Sequence, residues 1–114
     1  MEMRFQSLTV RPLVSWWQRL RGLLGTDRSA GTVALMDCFS IHTFWMSYAI
    51  DVAFVRSDGY VLRSLRNLPP WRVASCRGTS YVLERPSQGG PWPQTGSWVH
   101  CVDGTIRAGK GSAQ

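Results

Sequence analysis

The stretch Ile50-Asp51-Val52-Ala53-Phe54-Val55-Arg56-Ser57-Asp58-Gly59-Tyr60-Val61-Leu62-Arg63-Ser64-Leu65 decides the fold class. Its first arm is apolar except for Asp51 and rich in β-branched and aromatic residues, which fit a pleated, buried surface. Ser57-Asp58-Gly59 supplies the chemistry of a tight reversal, and Tyr60 to Leu65 returns as a second arm. The expectation is a β-hairpin with strands over Ala49–Val55 and Tyr60–Leu65. Asp51 stands out within it, because a buried carboxylate needs hydrogen bonds or a cation. Thr43, His42, Arg72 or loop amides are candidates to supply them, so Asp51 either pins the structure or binds a ligand.

On either side of the hairpin the same texture continues. Residues 3–10 and Val33 to Met36 read as short strands, as do Phe44 to Met46, Thr79 to Leu83, Val99 to Val102 and Thr105-Ile106. Leu13, Trp17, Leu20 and Leu24 recur at helical spacing, with Pro12 suited to a first turn and Gly25 to a C-terminal cap. This predicts a helix over 13–24, with Arg11-Pro12 ending the first strand. Leu68-Pro69-Pro70-Trp71 reads as a rigid loop, since consecutive prolines cannot join a central strand. After Glu84 the texture changes: residues 86–114 hold six of the eleven glycines and three of the six prolines. The expected organisation is a β domain over 1–85 and a Gly/Pro-rich tail over 86–114, with a closing strand supplied near 99–106. Residues 108–114 read as frayed. Short strands at close spacing with one helix give a mostly β, barrel- or sandwich-like class with a short N-terminal α-helix.

Composition limits the functions available. The chain has 114 residues, 44% hydrophobic and 18% charged, which suits one globular domain with its own core and excludes a multidomain enzyme. No apolar run approaches the length of a membrane span, and no signal-peptide pattern opens the chain, so a cytoplasmic location is expected. Thirteen basic residues, twelve of them Arg, face seven acidic ones, for a net charge of +6. That balance suits an anionic partner, nucleic acid among them, although no block of like charge and no zinc-finger or ribonucleoprotein motif is present. Cys38, Cys76 and Cys101 make an odd count with no CxxC pair, which reads as reduced thiols.

Chemistry-bearing residues concentrate in Asp37-Cys38-Phe39-Ser40-Ile41-His42-Thr43-Phe44-Trp45-Met46. Cys38 or Ser40 as nucleophile, His42 as base and Asp51 as its orienting carboxylate would make a catalytic set. Nothing in the spacing enforces that geometry, and a half-buried structural His42 bonded to a carbonyl or to Asp51 is the plainer reading. Cys38, His42, Cys76, His100 and Cys101 are of zinc-ligand type, but their spacing matches no closed finger, so no metal and no cofactor is expected. Glu84 ends an apolar run and could pair with Arg21 or Arg72. Trp71 and Arg72, fixed behind two prolines, suit either a preorganised recognition ridge or, for Trp71, a plug at one end of a barrel.

Six segments in order give a resemblance: Arg19-Leu20-Arg21-Gly22-Leu23-Leu24-Gly25, Ile41-His42-Thr43-Phe44-Trp45-Met46, Ile50-Asp51-Val52-Ala53-Phe54-Val55, Asp58-Gly59, Pro70-Trp71-Arg72 and Val82-Leu83-Glu84. From about residue 9 to residue 84 the chain resembles the bacterial and archaeal family known as domain of unknown function 192. The resemblance implies a mostly β barrel- or sandwich-like domain with a short helix, and no activity. It places the family's characteristic positions at Arg19, Gly22, His42, Phe44, Met46, Asp51, Phe54, Asp58, Gly59 and Glu84. The chain departs from the family's pattern after Glu84, where Arg85-Pro86-Ser87-Gln88-Gly89-Gly90-Pro91-Trp92-Pro93 follows.

These readings favour a non-enzymatic binding or accessory module acting on a protein or small ligand through Trp71, Arg72, His42, Asp51 and Glu84. A small enzyme using His42 and Asp51 with Cys38 or Ser40, and nucleic-acid binding through the Arg surface, are the alternatives.

Overall fold

The computed structural model describes residues 5–13, 31–102 and 105–109, with side chains over 31–100. Among the described residues nine strands run in chain order: β1 Phe5–Leu13, β2 Thr32–Met36, β3 Ser40–His42, β4 Ile50–Val55, β5 Val61–Leu68, β6 Val73–Ser75, β7 Tyr81–Pro86, β8 Trp98–Val102 and β9 Thr105–Gly109. Seven form one sheet in the order β5-β4-β7-β2-β1-β9-β8, and β3 and β6 form a separate two-stranded ribbon. Pairing is antiparallel throughout except between β1 and β2. The fold is thus mostly β, as the hairpin foretold.

The strands do not close into a barrel. The outer strands β5 and β8 approach at their first residues only, through a bridge between Tyr60 and Trp98 and a bond from Val61 N to Ser97 O at 2.9 Å. The expected helix over 13–24 falls, apart from Leu13, outside the described residues. Leu13 itself belongs to β1, which runs through Arg11-Pro12 instead of ending there. Residues 5–9 of β1 pair with β9 and residues 10–13 with β2, so Pro12 lies where the strand has one neighbour, a position that tolerates a missing N–H. Ala108 and Gly109, expected to fray, are paired in β9.

The hairpin is β4–β5, and β5 extends to Leu68. All six residues of β4 are buried, because both faces of the sheet are covered. Ile50, Val52 and Phe54 pack with Val33, Leu35 and Val82 under Ile41, Met46, Tyr48 and Ala74, which come from the ribbon and the loop after it. Ala53 and Val55 pack on the opposite face with Leu83, Val61, Trp92 and Val99. A strand buried on both faces reads as an unbroken apolar run, which is why Asp51 is conspicuous there. The turn docks on β8 through Gly59, whose φ is 97° and whose Cβ, if present, would lie 2.1 Å from Val99 O. Only glycine fits that approach.

Candidate binding site

Asp51 and Arg85 face each other across β4 and β7. Both are buried, and Arg85 Nε donates to Asp51 Oδ2 at 2.9 Å. The other oxygen, Oδ1, accepts from Asn67 N at 3.1 Å, and the Arg66 Nε lies 3.7 Å from it. Opposite Asp51 the register slips: Ile50 pairs with Leu68 but Val52 with Leu65. The extra residue is a β-bulge around Arg66 and Asn67, and Asn67 takes φ 57°, a conformation that asparagine tolerates. Asp51 therefore holds the bulge with one oxygen and neutralises Arg85 with the other. The Arg85 guanidinium also lies 4.5 Å over the Trp92 ring, and Trp92 Nε1 donates to Val52 O at 3.2 Å. Of the partners expected for Asp51, Thr43, His42 and Arg72 are not present, and the amide that bonds to it belongs to the bulge of β5, not to a loop. Neither Arg85, the last residue of the expected β domain, nor Trp92, in the Pro/Gly-rich tail, carries a signal in the sequence that ties it to Asp51.

The bulge re-aims the chain into Pro69-Pro70-Trp71-Arg72, and Thr43 fixes that loop. Thr43 is fully buried. Its Oγ1 donates to Pro69 O at 2.7 Å and accepts from Arg72 N at 2.8 Å. Its backbone N donates to Arg72 O at 2.8 Å, and its carbonyl accepts from Trp71 N at 3.0 Å and Met46 N at 3.2 Å. One small side chain thus ties two loops together. The segment Phe44–Met46, expected as a strand, is a turn, since Trp45 at φ 69° cannot join a ladder. The strand there is β3, four residues earlier, whose partner β6 gave no pattern of its own.

The two tied loops raise a continuous row of rings. His42 and Phe44 stack at 5.0 Å between centroids, Phe44 and Trp71 at 5.7 Å, and Trp45 meets Trp71 edge-on at 4.7 Å. Trp45 is 73% exposed and Trp71 53%. Trp71 is therefore not a barrel plug; among the described residues the buried indole is Trp92. Trp71 also has φ 66°, so two adjacent bulky residues occupy left-handed backbone. Left-handed tryptophans with most of their surface in water gain little from burial, and such conformations persist only where surrounding bonds over-determine them. Arg72 and Val73, both exposed, extend the row, and the Arg72 guanidinium donates from Nη1 to Trp71 O, at 3.4 Å.

The candidate catalytic residues are distributed differently. His42 is exposed, and its Nδ1 accepts from Phe44 N at 3.3 Å, so it helps seat the ring row. Asp51 is committed to Arg85 and Asn67, so base and carboxylate are not joined. Cys38 is half-buried against the core and donates from Sγ to Ser40 O at 3.1 Å, while Ser40 is exposed on β3. Cys76 follows β6 and packs on the same core, and His100 is exposed on β8. Glu84 is buried between Val33 on β2 and Val52 on β4. Neither an ion pair nor a hydrogen bond reaches it from the described residues, and burial pushes its carboxyl up to about 8. Arg72 does not reach it, and Arg21 lies outside the described residues.

The model of domain of unknown function 192, described as an uncharacterised ACR family, matches residues 1–89. The chain belongs to this family. The match begins before and ends after the segment that carried the resemblance, and it covers both loops of the ring row. No curated protein matches the chain's sequence. Among solved structures, a candidate transcription regulator from Sinorhizobium meliloti is similar over 74% of this chain and 72% of its own, with a TM-score of 0.64 and 24% identity. That likeness concerns the fold. Among the described residues, no helix is long and apolar enough to cross a membrane.

Proposed function

We propose that this member of the family is a non-enzymatic binding module whose recognition surface is the ridge formed by His42, Phe44, Trp45, Trp71 and Arg72. The observation that carries the reading is the pair of adjacent, largely exposed tryptophans held at φ 69° and 66° by the buried Thr43 clamp. Strain retained at the surface is a mark of preorganisation, and Trp and Arg are the side chains that most often anchor interfaces. Asp51 and Glu84 belong to this reading as frame, not as contacts: one fixes the bulge that aims the ridge, the other lies in the core beneath it.

The experiment compares wild type with Trp45→Gly and Trp71→Gly on immobilised single-stranded oligonucleotides, neutral glycans and proline-rich peptides. Glycine accepts the positive φ, so each variant deletes a ring without straining the loop. Retention of one probe class by the wild type, lost in both variants at unchanged melting temperature, is the expected result. A panel on which wild type and variants behave alike overturns the reading.

A further inference from the structure

We infer that the ridge takes single-stranded nucleic acid, a base stacking on the Trp45 indole while Arg72 holds the adjoining phosphate. The inference rests on the ridge being a recognition surface and adds the chemistry of its ligand. Three observations select that chemistry.

The rings come first. Trp45 and Trp71 are 4.7 Å apart and inclined at 66°. A run of sugars presents one flat face after another and suits well-separated, coplanar rings, which this pair is not. A single planar base needs one open π-face, and Trp45 offers it. Stacking of a base on an aromatic side chain is worth about 1–3 kcal/mol and tolerates any base.

The second observation is the distribution of charge around the ribbon. Arg72 precedes β6 and Arg77 follows it, both exposed, and Arg63 on β5 donates from Nη1 to Ser75 O at 3.0 Å within it. Three guanidinium groups therefore accompany one short strand that leads away from the ridge. The three extended residues of β6 cover about 10 Å, so the two exposed guanidinium groups flanking it can meet different phosphates of one strand.

The third is where the carboxylates lie. Of the four among the described side chains, Asp51 and Glu84 are buried, and Asp58 is bound in a two-pronged pair with Arg56 at the opposite end of the β4–β5 hairpin. Asp37 sits at the end of the ribbon remote from the ridge, its N–H bonded to Ser80 O. No described carboxylate adjoins the rings, and the chain as a whole carries +6. A polyanion with exposed planar bases matches this surface, whereas a proline-rich peptide would use the rings and leave the arginines idle.

The test is quenching of tryptophan fluorescence by a twelve-residue oligothymidylate at 20 and at 200 mM salt, with the same duplexed sequence as comparator. We expect saturable binding that weakens at least tenfold at the higher salt, and duplex binding at least tenfold weaker, because its bases are already stacked. Trp45→Gly should lower affinity at least tenfold, and Arg72→Ala should reduce the salt slope by about one phosphate contact. Binding by electrophoretic shift serves the tryptophan variants, whose fluorescence is altered. Absence of oligonucleotide binding at 20 mM salt overturns the ligand assignment. Ridge-dependent capture of a neutral glycan or proline-rich peptide would then leave the surface standing with a different ligand. Oligonucleotide binding that survives Trp45→Gly and Trp71→Gly unchanged overturns the assignment to the ridge, and a probe panel that is likewise indifferent to the rings removes the surface as well.

Discussion

Glu84→Gln should abolish a fall in stability that the wild type shows across the neutral range. In the unfolded chain this carboxyl ionises near its ordinary value of 4.5, whereas burial between Val33 and Val52 delays ionisation in the fold to about 8. Between those values the folded protein keeps a proton that the unfolded chain has released. Stability is therefore complete below pH 4.5, falls steadily above it, and levels off once the folded carboxyl ionises too. A tenfold change in proton affinity is about 1.4 kcal/mol, so the loss between pH 4 and pH 7 is about 3 kcal/mol. For a domain of this size that is on the order of 10 °C in melting temperature. The assay is urea denaturation of wild type and Glu84→Gln from pH 4 to pH 8. Glutamine has the same shape and no proton to lose, so the difference between the two curves isolates Glu84 from the exposed histidines. The variant should gain on the wild type by about 3 kcal/mol between pH 4 and pH 7. Parallel curves would refute the reasoning, because they would mean the buried carboxyl is already charged in the fold and balanced by a cation.

Other perturbations probe the frame and the ridge separately. Thr43→Val keeps the volume but leaves Pro69 O and Arg72 N without their partner, and should cost about 1–3 kcal/mol by denaturation, with Thr43→Ser restoring most of it. Asp51→Asn strands the Arg85 charge in the interior and should cost on the order of 3–5 kcal/mol, lowering the urea midpoint accordingly. Gly59→Ala meets Val99 O at the position of the added carbon and should cost more than about 1 kcal/mol in the same measurement. Trp71→Gly should leave the melting temperature nearly unchanged: relief of about 1–2 kcal/mol of left-handed strain offsets two lost ring contacts worth about 0.5–1.5 kcal/mol each. Trp92→Ala, a deletion in the core, should cost about 3–5 kcal/mol.

What was legible in the sequence follows the range of the interactions. The β4–β5 hairpin depends on neighbours in the chain, and its apolar arm and turn residues stated it plainly. The ribbon was obscured because its strands are three residues each, too short to show alternation, and because Phe44-Trp45-Met46 imitates a strand that φ at Trp45 forbids. Trp71 is ambiguous, and Trp92 unmarked, for a related reason. Each is an indole among prolines, and only contacts across 40 residues decide that Trp92 bonds to Val52 O while Trp71 stays in water. Asp51 is anomalous on its own, yet its partner Arg85 lies 34 residues away, at the last position of the expected β domain, with nothing local to mark it. Composition alone makes His42 a candidate catalytic base; its bond to Phe44 N belongs to a turn whose shape no local pattern predicts.

The frame and the ridge are one mechanical system. The Asp51–Arg85 pair sits in the sheet and the rings sit in solvent, and the bulge at Asn67 is the hinge between them. One residue beyond that bulge β5 ends, and two prolines then leave the chain little freedom before Trp71. On the other side, Thr43 begins the turn that presents Phe44 and Trp45 immediately after His42 leaves the ribbon. Two loops drawn from distant parts of the chain are thereby fixed by a carboxylate and a hydroxyl, both fully buried and both bonded on more than one side. A purely structural loop gains nothing from holding two indoles in left-handed backbone and in water. A binding loop does, because ordering the rings during folding removes that entropy cost from the binding step. Loss of either anchor should accordingly weaken the ligand more than its direct contacts would suggest, since neither Thr43 nor Asp51 can touch anything bound on the ridge. Thr43→Val is the sharper case. At a temperature well below its melting transition, the variant should bind oligothymidylate at least threefold more weakly while its backbone fold is unchanged. Full affinity in that variant would show that the rings find their places without the clamp, and that the strain at Trp45 and Trp71 serves something other than recognition.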